Sequence, residues 1–482
     1  MPILDHTRAP IGPPDWLSAP LEVAPAPRLV VGGLAVGIVG DLAIRAGGAT
    51  VAAALLVLAT SVALLATGRV ANVHGRVLLV AAPVVGSFLA VRSSAWVVVP
   101  TALSAAGLLA LGASLARGGS LARLPVRNLV GRALHATMHG LCALGMLRVP
   151  VRSVRLAAVV RGVLLAVPVV LLLGALLASA DAVFASVFDL DLTAADATGH
   201  VAAVVAVAWL GLGLLRVTSA REPVDPPAMP ARIGRLEATV VLSAVLLLFG
   251  TFVVTQVVTA MGGAEHVLQT AGLTRAEYAR SGFFQLLWVA GLTTGGLGVL
   301  AVCCDLDGRR RALVAGVVGL ALAIVVVAVV RLGLYRDAYG WTMLRLSCTA
   351  FAGWLGVVLV LTGLSIAGPA AIRGGSWVVP ASLAAGLAVL LALDVANPEA
   401  MVADYNLTHV AAVAVDTEYL THLSDDAVPA IVARLDTLDD TTRLLLVQAL
   451  GCPSATDRHQ GWASWNASSS AARTARRELC SA

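Results

Sequence analysis

The chain has 482 residues, of which 59% are hydrophobic and only 13% charged, and its mean hydropathy is +0.89. A soluble domain carries roughly 25% charged residues because it must cover its core with a wet surface, so water is excluded as the solvent for most of this chain. The net charge of +5 comes from arginine without any lysine. These arginines lie between apolar runs rather than in one patch, which argues against nucleic-acid binding.

Residues 1–28 contain Pro2, Pro10, Pro13, Pro14, Pro20, Pro25 and Pro27 and read as a disordered cytoplasmic leader without a cleavable signal. Beyond it come apolar runs of about 20 residues, the length that crosses roughly 30 Å of hydrocarbon. They predict spans near 29–46, 50–68, 77–92, 95–116, 160–181, 198–217, 237–260, 282–304, 312–331, 343–367 and 376–394. The runs show no in/out alternation, which excludes a strand barrel. Helices remain, because lipid offers no partner for backbone N–H and C=O groups. The predicted fold is all-α: a polytopic transmembrane helix bundle of about 11 spans with a small helical C-terminal extracytoplasmic module. Its parts are a four-span bundle (29–116), an arginine-rich cytoplasmic loop with an amphipathic helix (117–158), a seven-span core (159–395) and a soluble helical tail (396–482).

Arginine placement orients the chain. Segments on the N-terminal side carry Arg8, Arg28, Arg69, Arg76, the run from Arg117 to Arg161, Arg216, Arg221, Arg232, Arg235, Arg309–Arg311 and Arg373, 20 in all. The opposite loops hold seven: Arg45, Arg92, Arg275, Arg280, Arg331, Arg336 and Arg345. This bias places the N-terminus in the cytoplasm and the tail outside, in a bacterial cytoplasmic (inner) membrane.

Asp41 is an intramembrane acid of the first span, with Arg45 one turn later as its expected partner. In the cytoplasmic loop His135, His139 and Cys142 recur at helical spacing that could ligate a soft metal. No fourth ligand is in sight, and an amphipathic surface helix is the simpler account. The acidic loop after the fifth span holds Asp181, Asp189, Asp191, Asp196 and His200, matches no cation-binding loop, and reads as solvated. Only Asp181 is set at the membrane edge.

In Gly272–Leu286, Thr274 and Glu277 form a capping box, while Tyr278, Phe283 and Phe284 suit the headgroup region. In Tyr335–Leu346, Arg345 sits at the apolar boundary, where an unpaired charge costs at least roughly 2.5 kcal/mol. Asp181, Glu277 and Asp337 are its candidate partners, and snorkelling to headgroup phosphate is the alternative. In the tail, Asn397-Pro398-Glu399, Asp416 and Ser424 read as helix starts. Cys452 and Cys480, the only tail cysteines, could pair in an oxidising compartment or remain free thiols. Without lysine there is no Walker A loop, and HExxH, GxSxG and CxxC do not occur. No cofactor is expected, and the balance falls against an enzyme.

Several strings resemble an uncharacterised bacterial membrane family, domain of unknown function 4173, which is related to 4153. They are Gly174–Phe184, Gly272–Leu286, Tyr335–Leu346, Asn397–Ala400, Asp404–Leu407 and Leu423–Pro429. The resemblance covers roughly residues 160–470 and implies a multi-spanning inner-membrane protein with no known reaction. Under the predicted topology these strings share the outer face, so Asp181, Glu277, Tyr278, Tyr335, Arg336, Tyr339 and Arg345 form a candidate cluster capped by the tail. Three functions are expected in order. The first is a cell-envelope accessory or sensor protein whose tail binds an envelope partner. The second is a transporter or lipid-handling carrier using Asp41, Asp181 and Arg345. The third is a membrane enzyme acting on a lipid-linked substrate. The partners expected are the lipid bilayer and an envelope protein, with no nucleic acid.

Overall fold

The computed structural model describes residues 27–125, 128–129, 131–133, 136, 195–219, 234–258, 283–304, 306–409, 415–452 and 461–481. Among these residues there is no strand. The long helices are α1 (Pro27–Ala46), α2 (Val51–Thr67), α3 (Val73–Gly86, prolonged by the 3₁₀ turn Ser87–Ala90), α4 (Ala95–Ser114) and α5 (Ala195–Ser219). They continue with α6 (Arg235–Val258), α7 (Phe283–Cys303), α8 (Gly308–Tyr339), α9 (Met343–Ala367) and α10 (Val378–Ala396). Among the described residues nine helices are long and apolar enough to cross a membrane, and α2 is a shorter apolar helix. Their outward faces leave Val31, Ile38, Leu103, Leu247 and Leu292 largely exposed, a surface stable only against hydrocarbon. The chain is an integral multi-pass membrane protein. The leader before Pro27, the predicted span at 160–181 and the Thr274–Glu277 capping box lie outside the described residues.

Two separate cores form. One gathers Leu29, Leu64, Leu79, Leu109, Leu212 and Leu215 from α1 to α5. The other gathers Leu242, Phe249, Ala290, Val317, Ile324 and Leu359 from α6 to α9. Helix α5 therefore packs with the first four helices, and the boundary between cores falls after it rather than at loop 117–158, where the arginine run suggests it. The reason lies in a glycine face on α1. A Cβ on Gly37 would stand 2.5 Å from the Val204 carbonyl oxygen and 2.7 Å from the Ala208 Cβ, and one on Gly40 would run into Val207. Apolar helices gain no hydrophobic drive from meeting in lipid, so close backbone approach supplies the dispersion contact instead. Helix α10 leans on both α9 and α4, and the Trp354 indole N–H donates to the Ser382 carbonyl at 2.9 Å.

Helix α8 is 32 residues long, about 48 Å at 1.5 Å per residue, and outruns the predicted 312–331. Arg309–Arg311 and Arg331 bracket its apolar stretch, and Arg331 donates to Gln256 of α6 at 2.9 Å. Its last two turns rise past that boundary carrying Tyr335, Arg336 and Tyr339. The helix stops at Gly340, whose φ of 73° disfavours any side chain.

The tail is helical as well: α11 (Pro398–His409), α12 (Thr417–Thr421), α13 (Val428–Val432), α14 (Asp440–Leu450) and α15 (Ala467–Ser481). Ala403, Leu407, Leu420, Ile431, Leu435 and Leu446 make its core. A disulfide joins Cys452, after α14, to Cys480, at the end of α15.

Replacing Gly37 by Leu should cost about 1–3 kcal/mol by overpacking, read as a lower unfolding temperature in detergent. Gly107→Leu, at a site with nothing within 4 Å, should leave the melting curve unmoved. Equal shifts for the two would refute the glycine-face contact.

Candidate functional site

The tail meets the first bundle through two buried carboxylates. Asp426 is 2% exposed, and its Oδ2 accepts the backbone N–H groups of Ser93 (2.9 Å) and Ser94 (2.7 Å) in the turn between α3 and α4. Its Oδ1 accepts the Ser468 hydroxyl of α15 and lies 3.8 Å from the Arg92 guanidinium. Glu399, 4% exposed, receives the Ser94 hydroxyl on Oε1 at 2.6 Å. Its Oε2 receives the Ser424 N–H (2.7 Å) and hydroxyl (2.5 Å). A carboxylate withdrawn from water costs several kcal/mol unless donors replace the water. All four of these oxygens have such donors.

Further bonds spread the junction. Arg92 donates Nε to the Asp394 carbonyl (2.5 Å) and Nη2 to the Val395 carbonyl (2.9 Å) at the end of α10. The fully buried Asp394 carboxylate takes the Thr101 hydroxyl of α4 at 3.0 Å. The Asn466 amide donates to the Ala49 and Arg92 carbonyls, each at 3.0 Å. Asn397, alone between α10 and α11, adopts φ 55° and ψ 77°, a left-handed conformation that Asn tolerates. Its Nδ2 donates to the Asp426 carbonyl at 3.0 Å, and its Oδ1 caps α11 through the Ala400 N–H at 3.3 Å.

A second contact grips the corner between α8 and α9. Trp341 N–H donates to Asn406 Oδ1 at 2.7 Å, and Asn406 Nδ2 returns a bond to the Trp341 carbonyl at 2.8 Å. Met343 N–H donates to the Tyr419 hydroxyl at 2.7 Å. Burial pushes the Tyr419 phenol pKa up, so it stays neutral at physiological pH. The Arg336 guanidinium lies 5.4 Å from the Trp341 ring and 5.9 Å from the Tyr405 ring, and Tyr405 stacks on His409 at 4.5 Å. Arg345 sits 4.1 Å over the Tyr335 ring and donates to the Gly340 carbonyl at 2.5 Å. Such cation–π contacts contribute about 0.5–2 kcal/mol each.

Of the candidate cluster, Tyr335, Arg336, Tyr339 and Arg345 come together, joined by Trp341, Tyr405, Asn406, His409 and Tyr419. Asp337 does not pair with Arg345: it binds its neighbour Arg336 at 2.7 Å, while a ring and main-chain carbonyls already satisfy Arg345. Asp181, Glu277, Tyr278, His135, His139 and Cys142 lie outside the described residues. Among those described, no group of three His, Cys, Asp or Glu could hold a metal. Asp41 accepts Arg45 Nε at 3.0 Å and also meets His200 of α5 at 2.5 Å, so His200 belongs to a helix contact rather than to a solvated loop.

Asp416 caps α12 through the Tyr419 N–H at 2.9 Å. Ser424 starts no helix. It closes a turn by accepting the Asp426 N–H at 3.3 Å, and α13 begins only at Val428. Glu399 stands in the first turn of α11, as its place after Asn397-Pro398 predicts, and its carboxylate also reaches across to Ser94 of the α3–α4 turn. Arg92, Ser93, Ser94, Asp394 and Asp426 were not legible as a site. The one signal was Asp394, an acid closing an apolar run just as Asp181 does.

These features define an all-helical, multi-pass membrane protein whose helical tail is docked on its helix ends. The chain belongs to the family described as domain of unknown function (DUF4153), whose family model matches residues 52–433. This is the related one of the two families that the strings resemble. The matched range begins in α2, well ahead of the recognisable strings, and stops after α13. No curated protein and no solved structure matches the chain.

Asp426→Ala strands the Ser93 and Ser94 N–H groups and the Arg92 charge, and breaking a buried charged contact of this kind costs about 3–5 kcal/mol. Limited trypsinolysis of the tail should then accelerate by about 100-fold or more, with helicity by circular dichroism unchanged. Wild-type cleavage rates would contradict the docking role.

Proposed function

We propose that this protein is a non-catalytic accessory or sensor protein of the bacterial cytoplasmic membrane. Its working surface is the tail-bearing face, turned outward toward an envelope protein partner. The observation that carries the reading is the position of the ionisable groups. Among the described residues, Asp, Glu, Arg and His avoid the middle third of every helix from α1 to α10. Asp41, Arg45, His200, Arg331, Arg345 and Asp394 lie toward the tail side, and Arg28, Arg76, Arg216, Glu237 and Arg309–Arg311 toward the other. A carrier places its substrate and ion ligands near the midplane. A scaffold that presents a surface needs apolar packing inside and its ionisable groups at the helix ends, and the described helices fit that pattern.

Two features support the outward orientation of the tail. The tail-side turns are poor in arginine, and the Cys452–Cys480 disulfide suits an oxidising compartment. The carrier reading retains one supporting feature, the Asp41–His200 pair between α1 and α5.

Alkaline phosphatase fused at the C-terminus should be active, whereas fusions at positions 120 and 310 should be inactive. A cytosolic C-terminus would overturn the orientation. In a deletion strain with an envelope phenotype, Asp426→Ala should behave as the deletion and Asp41→Asn as wild type; the reverse pattern would favour a carrier.

A further inference from the structure

The segment before α15 ends in a short 3₁₀ turn, Trp462–Ser464, none of whose residues is buried. Two large indoles are open there, Trp462 at 66% exposure and Trp465 at 45%. In a water-facing module such a pair is an unfavourable surface, yet nothing in the tail core draws these rings inward.

Their height relative to the bilayer is fixed by the backbone. The Trp465 carbonyl accepts the N–H of Val51, the first residue of α2, at 2.9 Å. The neighbouring Asn466 side chain holds the Ala49 carbonyl of the α1–α2 turn, and Ser468 N–H donates to the Val91 carbonyl of the α3–α4 turn at 3.2 Å. The 3₁₀ turn itself packs against α1 and α2. Residues 461–466 therefore lie level with the ends of apolar helices rather than above them. Other exposed aromatics mark the same end of the bundle: Trp96 in the first turn of α4, Trp288 near the start of α7 and Tyr339 at the end of α8. Indole is favoured where its ring meets acyl chain and its N–H meets headgroup or water.

We infer that Trp462 and Trp465 insert into the headgroup–acyl boundary of the leaflet on the tail side, so that lipid as well as protein holds the tail down. The tail is then partly an interfacial element, and α15 with its Ser468 contact to Asp426 is coupled to the state of that leaflet. The inference requires that the chain span the membrane but is indifferent to which side faces out, so it can fail independently of the orientation proposed above.

The test is tryptophan fluorescence of the full chain reconstituted in phosphatidylcholine vesicles, comparing wild type with Trp462→Phe/Trp465→Phe. The difference between the two spectra reports the pair alone. Lipids brominated on the acyl chain just below the headgroup should quench most of that difference, and aqueous iodide should quench little of it. Strong iodide quenching without bromolipid quenching would place the rings in water, and quenching by neither would bury them against protein; either result overturns the inference. Labelling of the unsubstituted chain by a headgroup-proximal photoreactive lipid avoids any folding defect of the variant. Label on residues 461–466 is expected, and its absence there would likewise overturn the insertion.

Discussion

A buried carboxylate that is satisfied only when three separate stretches of chain meet around it is the constraint on which this structure turns. Asp426 draws N–H groups from the α3–α4 turn, a hydroxyl from α15 and the Arg92 charge, and Arg92 also binds the end of α10. Glu399 beside it ties α11 to the same turn. Exposed to water, these two groups would gain nothing from this arrangement. Desolvated, they tolerate no missing partner. Docking of the tail therefore satisfies both groups at once, and the module is better regarded as the upper layer of the membrane domain than as a separate body on a linker. A single residue, Asn397, separates α11 from α10.

The tail also spans the division between the two cores. It holds the first bundle at the turns around residues 47–50 and 91–94 and the second at the corner around residues 340–343. Helix α10 alone bridges them less tightly, through Trp354 on one side and Thr101 on the other. Helices in lipid associate without the hydrophobic drive available in water. Polar bonds at the aqueous end therefore weigh heavily in fixing how the bundles sit. This arrangement fits a scaffold with a fixed presenting face.

Much of the fold is legible in the sequence, because each span is a property of its own residues. Hydropathy places α1 through α10 within a few residues wherever they are described. Its main error, the length of α8, arises because a hydropathy window stops at Arg331 while helical backbone bonding continues to a glycine that can turn. Local polar contacts are legible for the same reason: Arg45 and Asp41 are one turn apart, and Asp416 caps the residues that follow it. The docking network is not, since Ser93 and Asp426 stand 333 residues apart and no spacing rule joins them. The glycine face of α1 is visible as a pattern, but its partner α5 is separated from it by the whole arginine-rich loop. The sequence offers Arg345 either a carboxylate or headgroup phosphate, because charge suggests countercharge; carbonyls at a helix end and the face of Tyr335 hold it instead.

Deuterium exchange at the amides of Ser93 and Ser94 in the intact, detergent-solubilised protein tests the docked tail most directly, since both N–H groups point at one carboxylate from the far end of the chain. The account predicts slow exchange there, comparable with the hydrogen-bonded middle of α4. Exchange at the rate of an unstructured peptide, with the bundle helices still protected, would show the tail undocked and contradict it.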